Sequence, residues 1–368
     1  MNKTISARTA MPVRTFAVAL LSLAAPPPAG AQAPAALDSI AGAFQAEHQV
    51  PGLAIGIVRP EGDTVLAYGV ASRDGTVPID ANTSFEIGSI AKVFTGLLLA
   101  EMAVRGEVGL DDPLDAYLPI GAAMQRHAGE PVRLRHLATH TSGLPRLPDN
   151  LVPADMADPY AAYTADDLHA FLEDHELGRT PGEGYEYSNL GAGLLGHLLA
   201  KRAETTFDAL LHRLILEPLG LDATHVTPSE RSDTRAARGH AQGQAVPDWD
   251  FGPLAGAGGM RATPANLLRF LRFQLEPAGL PLADAIRETR AELVRAAPGL
   301  DVALGWHVVP ISETDPLYWH NGGTGGFRSF AAFVPDREVG VVILANGAAP
   351  MPQFDQLALQ IVGLVLRE

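Results

Sequence analysis

The sequence predicts an α+β fold: an antiparallel β-sheet built from both ends of the chain, flanked by N- and C-terminal helices, with an all-helical domain between. Three observations carry this. Short apolar strand-like runs occur near both ends of the chain. Helical spacing dominates from about Leu110 to Glu292, interrupted by loops rich in Pro and Gly. The 368 residues are 47% hydrophobic and 19% charged, enough apolar mass for a sizeable core and too little charge for disorder.

The first segment reads as an address. Lys3, Arg8 and Arg14 form a positive start, Phe16 to Ala25 is an apolar run too short to span a bilayer, and Ala29-Gly30-Ala31 offers a small-residue cleavage site. Residues 1–31 are therefore expected to be a signal peptide cleaved near Ala31. Its loss takes the net charge from −15 to −18 and delivers a periplasmic or secreted product with no later run long enough to span a membrane.

Ala36 to His48 has the spacing of a first helix, with Leu37, Ile40, Ala41 and Phe44 on one side. Leu53–Val58 and Thr64–Val70 read as strands joined by a turn at Glu61-Gly62-Asp63. A helix is expected from Ser89 to about Arg105, stopped by Gly106. Two helices stand out in the middle: Leu190–Arg202, and Pro264–Leu275 with Thr263 as its N-cap. Strands return at Val302–Val309, Ser329–Val334 and Val339–Leu344, before a last helix from Gln353 to Leu366. The expected division is 32–110 with 293–368 as a discontinuous sheet domain and 111–292 as the helical domain, with a site in the cleft between them.

Composition removes several function classes. Without Cys there is no disulfide scaffold, thiolate metal site, cysteine nucleophile or lipidated Cys. The acidic balance leaves no basic stripe for nucleic acid. There is no Gly-x-Ser-x-Gly elbow, no His-Glu-x-x-His and no P-loop, and the histidines lack ligand spacing, so no metal or cofactor is expected.

Three motifs carry chemistry. Ser89-Ile90-Ala91-Lys92 sets a hydroxyl and an amine three residues apart at a helix start, on one face. A neutral Lys92 can take the Ser89 proton, and burial would lower its pKa toward that task. The same four residues also fit an exposed helix Lys beside a capping Ser. Beyond residue 31, however, the chain has only two Lys, Lys92 and Lys201. Tyr187-Ser188-Asn189 is the second motif. A cationic Lys nearby would pull the Tyr187 pKa down for proton transfer, while Asn189 could hold a substrate amide; alternatively it is a core Tyr beside an Asn N-cap. The third is the Gly-rich run from His320 to Phe327, which lets a substrate approach a strand edge, where a free N–H and that of Ser89 could form an oxyanion hole.

In this order the three motifs resemble the serine β-lactamase and penicillin-binding superfamily, in particular its class C branch. The likeness extends to Phe85–Gly96, His136–Pro145, Ala255–Arg261 and Leu344-Ala345-Asn346. It implies a β-lactamase/transpeptidase-like fold. It also implies Ser89 as acylated nucleophile, Lys92 as its proton acceptor, Tyr187 as general base and Asn189 on the substrate amide. His320, Gly322, Gly323 and Thr324 would bind substrate, with Ser89 and Gly323 supplying oxyanion N–H groups. Two positions depart from the family pattern. His320 replaces the Lys of Lys-Thr-Gly, and is expected to meet a substrate carboxylate only when protonated. Leu147 stands where a Gln usually follows Gly-Leu-Pro. The expected protein is a monomeric serine hydrolase acting on β-lactams. The alternatives are D-alanyl-D-alanine peptides, small esters, or a non-catalytic sensor of β-lactams or wall peptides.

Overall fold

The structure, a computed structural model, describes residues 33–367 apart from 74, 119–123, 125–126, 228–234 and 313. The expected signal peptide, 1–31, lies outside the described residues. Helix α1 (Ala33–His48) leads into strands β1 (Gly52–Arg59) and β2 (Gly62–Gly69). Arg59 pairs with Gly62, so the hairpin turns at Pro60-Glu61, just before the expected turn. Gly62, at φ +144°, opens the second strand.

β3 (Phe85–Glu86) passes through a 3-10 turn at Gly88–Ile90 into α2 (Ala91–Val104). The middle of the chain gives α3 (Leu134–Ala138), α4 (Ala165–Asp174), α5 (Asn189–Arg202) and α6 (Phe207–Leu211). It continues through β4 (His225–Val226), β5 (His240–Ala241), β6 (Gln244–Ala245) and β7 (Met260–Ala262) to α7 (Pro264–Leu275) and α8 (Ala283–Ala291). The chain then adds β8 (Val294–Ala297), β9 (Leu300–Val302), β10 (His307–Pro310), β11 (Pro316–Gly323), β12 (Arg328–Val334) and β13 (Val339–Ala345), and ends with α9 (Met351–Val365).

Among the described residues, the main sheet has eight strands in the order β2-β1-β13-β12-β11-β10-β9-β8, antiparallel throughout. Its alternating residues split between two cores. Leu53, Ile55, Ile57, Phe330, Val341 and Ile343 pack with Leu37, Phe44 and Phe354 of the terminal helices. Ala54, Val58, Ala331, Phe333, Val342 and Leu344 belong to the larger core that holds α2, α5 and α7. β1 is buried along nearly its whole length because both faces are covered, whereas β2, at the edge, is largely exposed. Helix α7 lies directly on the sheet, with Leu268 over Gly56 and Leu271 over Gly340. Asn346 clamps the strand ends: its Oδ1 accepts from Gly52 N at 2.6 Å, and its Nδ2 donates to Val70 O and Ala71 O.

Three expectations are corrected. The run Val302–Val309 is two strands, because Ala303–Trp306 folds back through an Ala303 N to Trp306 O bond of 2.8 Å with Gly305 at φ +82°. The helix after Tyr187 begins at Asn189 and is capped by Ser188, whose Oγ accepts from Gly191 N at 2.8 Å. The Gly-rich segment does not merely precede a strand: His320 to Gly323 are the end of β11. Thr263 caps α7 as expected, accepting from Asn266 N at 3.2 Å.

Candidate active site

Ser89 is delivered by a short, tightly held connection. β3 pairs with β7, Ile87 N donates to Met260 O at 3.0 Å, and Ser329 Oγ of β12 donates to Ile87 O at 2.6 Å. The next residue, Gly88, adopts φ +49°, and a Cβ there would sit 2.6 Å from Gly323 N. A Cβ on Gly322 would come within 2.9 Å of Ser89 N. Only glycines let the nucleophile turn lie backbone to backbone on β11. Gly322 thus shapes the site by having no side chain.

In the tight 3-10 turn, side chains three apart are nearly eclipsed. Lys92 Nζ accordingly lies 3.0 Å from Ser89 Oγ, and it donates to Ala257 O at 2.6 Å. Lys92 is buried, and burial followed by the Arg146 charge holds its pKa well below the ordinary lysine value. In its neutral form such an amine has a lone pair able to take the hydroxyl proton.

Tyr187 stands beside this pair, with Lys92 Nζ 5.0 Å from its ring centroid. Its pKa is pushed up to about 12, by burial above all, with a hydrogen bond to Ser89 and the Arg146 charge opposing. This reverses the expectation that the lysine would pull it down: burial outweighs the hydrogen bond and the charge that oppose it. Ser188 fixes the segment, its Oγ donating to Pro145 O at 2.6 Å and its N–H to His140 Nδ1 at 3.1 Å. Asn189 Nδ2 donates to Tyr160 Oη at 3.3 Å, and its Oδ1 is buried without a partner. Its amide therefore keeps hydrogen-bonding capacity for a ligand.

His320 differs most from expectation. Its Nδ1–H donates to Asn321 O at 2.6 Å, leaving Nε2 buried and unpartnered. Burial, then the proximity of His307 and Lys92, drives its pKa well below the ordinary histidine value. A cationic His320 meeting a carboxylate is therefore not what this site offers. His320 belongs instead to a neutral stack: its ring is 5.0 Å from His307, which lies 6.5 Å from His140, and Tyr185 Oη is 2.8 Å from His307 Nε2. His307 is lowered to about 3 by burial and by Lys92.

Thr324 is a second correction. Its residue lines the cleft, but its buried hydroxyl donates to Glu86 Oε2 at 2.5 Å instead of facing substrate. Glu86 also accepts from Trp249 N at 2.8 Å, yet burial raises its pKa to about 7.

An open cleft of about 880 Å³ leads to the site, lined among others by Gly323, Thr324, Arg146 and Arg328. The structure therefore brings Ser89, Lys92, Tyr187, Asn189, His320, Gly322 and Gly323 together, and turns the Thr324 hydroxyl away. Leu147 packs on the core, and its neighbour Arg146 takes the exposed place, with its guanidinium 5.0 Å from the Tyr187 ring. The sequence reading did not single out His140, Arg146, His307 or Glu86. His140 and Glu86 lie inside the resembling segments, and that was their available signal.

A family profile described as Beta-lactamase matches residues 37–365. Among similar proteins, one named Beta-lactamase from Pseudomonas fluorescens is 28% identical over 347 residues, covering 85% of this chain and 93% of its own. A Beta-lactamase from Lysobacter lactamgenus is 29% identical over 376 residues, covering 93% and 94%. One from Escherichia coli (strain K12) is 27% identical over 351 residues, covering 86% and 89%. With the profile running from the first helix to the last, the chain belongs to the Beta-lactamase family.

Proposed function

We propose that this chain is an exported serine β-lactamase of the class C type, working through an acyl-enzyme on Ser89. The observation that carries the reading is the buried Lys92 amine 3.0 Å from the Ser89 hydroxyl, its pKa held well below the ordinary lysine value. As Oγ attacks the lactam carbonyl, its proton passes to the Lys92 lone pair. The oxyanion that forms is met by the N–H groups of Ser89 and Gly323. The ring C–N bond breaks, and the Tyr187 phenol donates a proton to the leaving nitrogen and regains one from Lys92. Tyr187 is thus a relay between amine and leaving group, since a group of pKa about 12 holds its proton at neutral pH. Asn189 takes the side-chain amide of the substrate. Water then cleaves the Ser89 ester, with amine and phenol moving protons again.

In this reading the site lies at the seam of two units. Residues 32–110 and 293–368 contribute Ser89, Lys92 and Gly323; residues 111–292 contribute Tyr187, Asn189 and Arg146. Residues 1–31 direct export. The test is a chromogenic cephalosporin followed by colour and intact mass. Sustained turnover with a transient adduct, both lost in Ser89→Ala, is the expected result. Turnover that survives Ser89→Ala would overturn it.

A further inference from the structure

We propose that Arg146 is the anion anchor of this site, its guanidinium taking the carboxylate of the substrate. The inference rests on the function proposed above and identifies the group that selects anionic substrates. The argument is one of position and elimination. Arg146 O accepts from Asn189 N at 3.0 Å and Leu190 N at 3.2 Å, so the first turn of α5 fixes the residue beside Tyr187 and Asn189. Its exposed side chain crosses the Tyr187 ring, 5.0 Å from the centroid, and lines the cleft with Gly323 and Thr324. A planar guanidinium can stack on the ring while its N–H edge faces a carboxylate.

Arg146 is also uncommitted. Arg135, Arg179, Arg261 and Arg337 each hold a carboxylate. Among the described residues, Arg146's guanidinium has neither a hydrogen bond nor an ion pair. The other basic side chains near the cleft are engaged elsewhere. Arg328 donates to Ala349 O, Thr324 O and Phe327 O at 2.7 to 3.0 Å. Lys92 is spent on Ser89 and Ala257. His48 lies 3.9 Å from Glu47, and His320 is buried with Nδ1 bonded to Asn321 O. A carboxylate reaching Gly323 therefore finds one open guanidinium among the described residues that line this cleft, that of Arg146.

The test measures binding without turnover, in Ser89→Ala and in Ser89→Ala/Arg146→Gln. The probes are a cephalosporin and its methyl ester, and an acyl-D-alanyl-D-alanine peptide and its C-terminal amide. In Ser89→Ala at least one acid is expected to bind more tightly than its neutral partner. Losing a charged hydrogen-bonding partner should weaken that acid by about tenfold to a hundredfold and collapse the acid-to-neutral ratio. Arg146→Lys should restore part of it. The probe pair with the larger loss identifies the source of the carboxylate. An unchanged ratio in the double variant, or no preference for either acid in Ser89→Ala, overturns the proposal. Intact mass of the wild-type protein with the cephalosporin reports separately on Ser89 acylation. That reading can fail while the binding ratio still depends on Arg146.

Discussion

Burial separates Lys92 from an ordinary lysine, and at the residue scale most of the chemistry follows from that. Lys92→Arg puts a permanent cation in place of the amine and loses the lone pair, because guanidinium stays protonated. It should cost activity nearly as much as Ser89→Ala, by about 10⁴-fold or more in kcat. A lysine with its usual pKa would make kcat/KM rise up to about pH 10. With the pKa lowered, the acid limb of kcat/KM, where the amine is protonated, should lie well below about pH 10. Arg146→Gln removes a charge that opposes this protonation, so the acid limb of its pH profile should move to higher pH. Glu86 adds a stability signature. Its folded pKa, about 7, lies above the ordinary carboxylate value, so the fold binds that proton more tightly than the unfolded chain does. Its contribution is fully present below about pH 4.5 and is lost as pH rises through about 7. Denaturant titrations should show this decline, and Glu86→Gln should flatten it. The order of the three motifs and the resemblance they carry made Ser89, Lys92, Tyr187 and Asn189 legible as candidates. The protonation states of Lys92 and Tyr187 were not legible, because these depend on burial and on Arg146, brought in from a distant segment.

At the scale of the element, Ser188 links helix formation to chemistry. It caps α5, donates to Pro145 O and positions the residues on either side of it, Tyr187 and Asn189. Ser188→Ala should cost about 1–2 kcal/mol of stability from the lost cap and lower kcat in the surviving fold. Thermal melts and steady-state kinetics on the same sample check both. The elements the sequence showed plainly were those with strong period: the helix after Ser89, the β1–β2 hairpin, and α7 with its Thr-Pro start. β11 escaped because Pro316, His320, Asn321, Gly322 and Gly323 carry little strand propensity. Its place comes from pairing with β10 and β12 and from the nucleophile turn pressed on its end. β9 and β10 read as one run because nothing but Gly305 marks the turn between them.

At the scale of the molecule, the terminal helices hold the sheet from the face opposite the site. Phe354 of α9 is fully buried there, its ring 6.1 Å from Phe44 of α1. Phe354→Ala should cost about 3–5 kcal/mol, seen as a lower denaturant midpoint. Strands at both ends with helices between were readable from the pattern of apolar runs. The strand order was not, since periodicity says which face is buried and nothing about neighbours.

That order has a consequence for how the protein comes into being. Gly52 and Asn346 are 294 residues apart in sequence yet joined by a 2.6 Å hydrogen bond, and β13 sits between β1 and β12. The first hairpin to leave the ribosome must wait for the last strand of the sheet before its inner edge is paired. Folding cannot run ahead of synthesis, and contacts this distant in sequence make the search slow. A nascent chain ending before residue 339 would lack the strand that joins its two ends. It would present an open edge, to be shielded by other proteins until the message is complete.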